Sequence, residues 1–189
     1  MDEIAERYRR RAEAFERKVA AVRPEQWDNP SPCELWTAKD VVDHIVTMHG
    51  VMLIPVARKL KPSDDPLTAF QEARAAIEDV LEDPVLALTE TDTPSGRMTA
   101  ERHVDEVISD DLVLHGWDLA RATGQDETMD PVDVERIWAS TAAIPAEVME
   151  QFRTPGAFGE GIEVFGPEVE VSVDAPLQDR LLGLIGRQP

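Results

Sequence analysis

Asp111 and His115 stand four residues apart in the stretch Asp110-Asp111-Leu112-Val113-Leu114-His115-Gly116-Trp117-Asp118-Leu119-Ala120. At helical spacing both fall at the centre of an apolar stripe formed by Val104, Ile108, Leu112, Leu119 and Ala122. An ionised carboxylate is costly to bury unless a charge or hydrogen bond compensates it. Two metal-ligand types at i and i+4 on the inward face of a helix make that burial sensible. The competing reading is a metal-free Asp111–His115 pair in a polar pocket, since paired buried charges are often purely structural.

A third ligand must come from another helix. His44 and His49 flank opposite sides of the apolar face of the second predicted helix, so periodicity does not choose between them, and His103 is expected to be exposed. One of the two histidines with Asp111 and His115 makes a His₂Asp set, which leaves a coordination position open, as catalytic sites require. Such nitrogen and oxygen donors suit zinc, nickel, iron(II) or manganese. Asp118 lies one turn beyond His115 and either orients a ligand's second ring nitrogen or makes a local helix hydrogen bond. Trp117 is read as packing or as a pocket wall. Arg121 is read as a charge favourable at a helix C-terminus or as a contact for a cofactor or substrate carboxylate.

The elements that must position these residues are helical. Ile4, Tyr8, Ala12, Phe15, Val19 and Val22 predict a first helix over roughly residues 1–22. The second should start at Thr37, with Asp40 completing a capping box, and run towards Leu60 unless Pro55 shortens it. A third is expected over 67–81, a loop around 89–96, and a fourth long helix over 100–123 closed by Gly124. A fifth helix is predicted from Pro131 to about Glu150, capped by Asp130. Residues 162–165 and 169–173 alternate like short strands, and 178–185 read as a terminal helix. The expected fold is thus all-α: a four-helix bundle with an extra helix, a short extended segment and a terminal helix, organised as a bundle over 1–155 and a tail over 156–189.

Composition narrows the function. The 189 residues carry 38 acidic and 19 basic side chains, a net charge of −19. That balance argues against nucleic acid and anionic membranes as partners and fits a solvated acidic surface. The single cysteine, Cys33, excludes an intramolecular disulfide and a cysteine-rich zinc site. With no signal-like apolar start and no run approaching the roughly 20 apolar residues of a membrane span, a cytoplasmic location is expected.

Trp36-Thr37-Ala38-Lys39-Asp40-Val41-Val42-Asp43-His44 and Val113-Leu114-His115-Gly116-Trp117-Asp118-Leu119-Ala120 resemble two motifs of the DinB/YfiT-like superfamily, specifically the metal-binding domain of the mycothiol-dependent maleylpyruvate isomerases. The tail from Phe165 through Gly183 resembles a short, single-domain branch of that group. The resemblance implies a bundle holding one divalent metal, zinc or nickel. It selects His44 over His49, pairs it with His115, and puts Asp111 where the mycothiol-dependent isomerases have glutamate. It also implies a small thiol such as mycothiol as co-substrate, activated at the metal for S-transfer or isomerisation of a small electrophile, and by analogy a homodimer. About 40 residues follow the fifth helix, where the full isomerases carry a further domain, so an electrophile other than maleylpyruvate is expected. Cys33 precedes the Thr37 cap near the mouth of such a site, but the nucleophile implied is the cofactor thiol. A hydrolase using metal-bound water and a non-catalytic bundle with a vestigial site are the alternatives.

Overall fold

Tyr8, Ala12, Phe15 and Val19 recur at helical spacing, and α1 (Glu3–Ala20) buries all four. The computed structural model describes residues 3–93, 96–157 and 164–189. Apart from one small hairpin the regular elements of the described residues are helices, in two units, Met1–Glu127 and Thr128–Pro189. Among the described residues no helix is long and apolar enough to cross a membrane.

In the first unit α2 (Ala38–Leu53) begins as the sequence predicts. The Thr37 Oγ1 accepts from the Asp40 N–H at 3.2 Å, and the Thr37 N–H donates to Asp40 Oδ2 at 2.8 Å. It stops well short of Leu60. Pro55 lies in a single 3₁₀ turn, Ile54–Val56, and Ala57 takes a left-handed conformation that terminates the run. Asp65 caps α3 (Pro66–Glu82), and the short α4 (Pro84–Ala87) follows. The expected loop around 89–96 is instead part of an antiparallel hairpin, β1 (Glu90–Thr93) with β2 (Gly96–Thr99). Its strands are polar, with only Met98 buried, so no apolar alternation announces them.

The fourth long helix of the sequence reading is one run with a wide turn inside it. α5 (Ala100–His103) continues through a π turn, Val104–Ile108, into α6 (Ser109–Thr123), which Gly124 closes at φ 67°. A π turn inserts one residue into the helical register. Counting about 100° per residue across it therefore misplaces Asp111. Val104, Ile108, Leu112 and Leu119 are buried as expected, but the Asp111 side chain is 26% exposed and lies on the flank of the stripe, not at its centre.

α1 packs on α3 and α6, and α2 packs on the same two helices. Their apolar faces, among them Phe15 against Phe70, meet in one core. Each such fully buried side chain contributes about 1.5–3 kcal/mol. Two α1 arginines grip the π-turn region. Arg7 donates to both Asp105 oxygens at 2.8 and 2.9 Å, and the buried Arg11 donates to Asp110 Oδ1 at 2.6 Å and Ser109 Oγ at 3.0 Å. Asp105 and Asp110 are thereby paired with cations of α1.

The second unit opens with α7 (Pro131–Ala142), whose Asp130 cap accepts from the Val132 N–H at 2.8 Å. The predicted fifth helix does not reach Glu150 unbroken. Pro145 lacks an N–H and clashes with a helical carbonyl, so the chain breaks and restarts as α8 (Ala146–Phe152). α9 (Leu177–Leu184) packs on α7. The strand-like stretch 169–173 forms no ladder. Its Val169 N–H instead donates to the Gly183 carbonyl at 2.9 Å, an approach that depends on Gly183 having no side chain. Residues 162 and 163 of the other strand-like stretch lie outside the described residues, and Val164 and Phe165 form a bend.

Candidate functional site

α2, α6 and the loop between α1 and α2 bring three aromatic rings and five potential metal-donor residues together. His44 and His115 meet edge to face with ring centroids 4.8 Å apart. Trp36 lies against both, at 4.8 Å from His44 and, stacked, 5.8 Å from His115. His44 Nε2 is 3.9 Å from Asp111 Oδ2, too far for a hydrogen bond. Among the described residues, two groups of donor atoms converge to within 4.8 Å: His44, Asp111 and His115, and then Cys33, His115 and Asp118. His115 belongs to both.

Asp118 decides how His115 is presented. Its carboxylate is wholly buried and accepts from His115 Nδ1–H at 2.9 Å and from the Cys33 thiol at 3.2 Å. A carboxylate only accepts, so the proton sits on Nδ1 and Nε2 is left as the ring's second functional atom. Burial opposes a charge on His115, but the hydrogen bonds to Asp118 and Cys33 and the charges of Asp118 and Asp111 outweigh it and push its pKa up to about 10. His44 goes the other way. Burial, then the neighbouring His115 charge, bring it down to about 3 against a smaller pull from Asp118. The imidazole pair thus carries one positive charge at neutral pH, on His115, whose Nε2 must release a proton before it can bind a cation.

His49 is elsewhere. It is fully buried in the core, with Nδ1–H donating to the Ile45 carbonyl at 2.7 Å, Nε2 accepting from the Tyr8 hydroxyl at 2.8 Å, and Phe70 edge-on at 5.6 Å. Burial, partly opposed by the Ile45 hydrogen bond, lowers its pKa to about 4. Periodicity leaves the two histidines equivalent; tertiary packing gives one to the cluster and the other to the core. His103, at the end of α5, is half-buried and joins neither group. Trp117 is 2% exposed, with the Arg121 guanidinium 4.6 Å over its ring and Arg121 paired to Glu127 at 2.7 Å. Two residues on a helix span about 200°, so Trp117 turns away from the His115 edge.

Cys33 and Trp36 are the members that residue patterns assign no role at the site. Their loop is tied to the carbonyls at the end of α6: Gln26 Nε2 donates to the Thr123 oxygen at 2.7 Å and Asn29 Nδ2 to the Ala122 oxygen at 2.9 Å. A bridge between Pro30 and Thr37 closes the loop. Within it Leu35 adopts φ 64° and is 95% exposed, a conformation that costs a β-carbon-bearing residue about 1–3 kcal/mol. With Leu35 turned out, Cys33 and Trp36 on either side of it face the histidines. The Trp-Thr block of the resemblance is the sequence signal nearest to this arrangement.

The model of the mycothiol maleylpyruvate isomerase N-terminal domain family matches residues 8–83. Two uncharacterized proteins of Mycobacterium tuberculosis, from strains CDC 1551 / Oshkosh and H37Rv, are each 30% identical over 184 residues, covering 95% of this chain and 95% of theirs. No solved structure matches.

Proposed function

This chain belongs to the mycothiol maleylpyruvate isomerase-like group, and from that premise we propose that it binds one divalent metal ion, zinc or nickel, through His44, Asp111 and His115 and activates a low-molecular-weight thiol such as mycothiol for S-transfer to, or isomerisation of, a small electrophile. The helices α1, α2, α3 and α5–α6 are then the four members of a DinB-type bundle. The observation that carries the reading is the 3.9 Å gap between His44 Nε2 and Asp111 Oδ2, beside a His115 whose other nitrogen is already committed to Asp118. Ligand atoms around a tetrahedral ion with bonds of about 2.0–2.2 Å stand roughly 3.3–3.6 Å apart. His44 and Asp111 therefore stand near coordination spacing and outside hydrogen-bonding distance, with His115 converging to within 4.8 Å of them. One carboxylate and two imidazoles also suit a borderline cation.

A bound cation stabilises a thiolate near neutral pH and so supplies the nucleophile. The protein's own residues do the rest. Asp118 fixes the His115 tautomer and orients the ring. His44, kept neutral, offers a lone pair without first losing a proton. Trp36 lies over both imidazoles and limits water on that side.

Metal content of the untagged protein, by inductively coupled plasma mass spectrometry, tests the first part. About one equivalent in wild type, lost in His115→Ala and reduced in His44→Ala, is expected. Calorimetric titration of zinc- or nickel-loaded protein with mycothiol tests the second, and a loaded protein that gives no binding heat would refute the thiol reading while leaving the metal reading intact.

A further inference from the structure

The Nδ1 edge of His115 faces two donors, Asp118 and Cys33, of which the function above uses only Asp118, and only to orient the ring. Asp118 Oδ2 is 2.9 Å from Nδ1, Cys33 Sγ is 3.2 Å from that oxygen, and Sγ is 3.9 Å from Nδ1. Nitrogen, oxygen and sulfur around a tetrahedral ion, with bonds of about 2.0–2.3 Å, stand roughly 3.3–3.6 Å apart. The three observed edges bracket that range, so the triangle already has the size of one face of a coordination shell. It is also held in place: Asp118 is wholly buried on α6, and the loop bearing Cys33 is bonded to the carbonyls that end the same helix. Chemically the set differs from His44, Asp111 and His115. A sulfur donor favours softer cations and gives no advantage to magnesium or calcium.

We propose that Cys33, Asp118 and His115 Nδ1 form a second station for a thiophilic divalent cation such as zinc, cadmium or cobalt, adjoining the first across the shared imidazole ring. Occupation forms metal–sulfur, metal–oxygen and metal–nitrogen bonds and releases two protons to solvent, one from Sγ and one from Nδ1, with no change of oxidation state. His115 then serves either station according to which ring nitrogen it presents. The inference shares His115 with the function proposed above but needs neither His44 nor Asp111, so the two stand or fall separately.

Cobalt(II) titration of metal-free protein, kept reduced with a phosphine, tests it in wild type, Cys33→Ser and His44→Ala. A thiolate-to-cobalt charge-transfer band in the near ultraviolet is expected in wild type and in His44→Ala. Cys33→Ser should lose that band and keep the visible bands of the other station. In parallel, cadmium should protect the Cys33 thiol of wild type and His44→Ala from a disulfide reagent, a readout that does not depend on the serine variant folding. A wild-type protein without the charge-transfer band, or a thiol that reacts equally fast with and without cadmium, would overturn the proposal and leave Cys33 as a hydrogen-bond donor to Asp118.

Discussion

Removing the buried Tyr8–His49 pair should make the protein more acid-resistant without altering its metal site. His49 is held neutral in the core, with a folded pKa of about 4, against about 6.5 for an unfolded histidine. As pH falls through this window the unfolded chain takes up a proton that the folded state refuses. The stability tied to a neutral His49 is therefore complete above pH 6.5 and is lost towards pH 4. The slope is up to about 1.4 kcal/mol per pH unit, or on the order of 3 kcal/mol over the whole window. His49→Leu alone would strand the buried Tyr8 hydroxyl, whose 2.8 Å hydrogen bond it removes, at about 1–3 kcal/mol. The double variant Tyr8→Phe/His49→Leu removes both partners and should lie within about 1 kcal/mol of wild type at pH 7. By about pH 5 it should have gained roughly 2 kcal/mol on wild type. His44, also lowered by burial, is present in both proteins and cancels in the difference. Urea unfolding of metal-free protein at the two pH values measures this directly. Stability curves that fall in parallel would refute the assignment of His49 as a neutral core residue. Loss of metal from the double variant would refute the choice of His44 over His49.

Three further outcomes follow from specific contacts. Asp118→Asn removes the charge that orients His115 and should weaken metal binding by about 10–100-fold in a chelator-competition titration; unchanged affinity would mean that Asp118 serves only packing. Arg11→Met leaves Asp110 without its buried α1 partner, a change expected to cost about 3–5 kcal/mol, seen as a drop in thermal midpoint of the apo protein. Gly183→Ala would place a Cβ 2.5 Å from Val171 Cγ2 and 2.7 Å from the Val169 oxygen, and the resulting overpacking should destabilise by about 1–3 kcal/mol in urea unfolding.

Local chemistry made much of the helical framework legible in the sequence. The Thr37–Asp40 box, the Asp130–Pro131 start and the Gly124 stop depend on residues within a turn of one another, and each stands where it was expected. The same holds for the α1 apolar spacing, because a helix repeats its face at a fixed interval. What failed to read were features decided across space. The π turn shifts Asp111 off the stripe centre, and it sits where Arg7 and Arg11 of α1 engage the acidic residues around it. The polar hairpin carries no apolar alternation, since its faces bury little. Asp111 and His115 were visible as a pair because one helix sets their spacing, and a family resemblance was needed to single out His44. Only the packed chain separates His44 from His49 by physical contact: Tyr8 and Phe70 close over one, while Trp36 and His115 meet the other. Periodicity fixes which way a residue faces around its own helix, but the partner it faces is set by helices and loops distant in sequence.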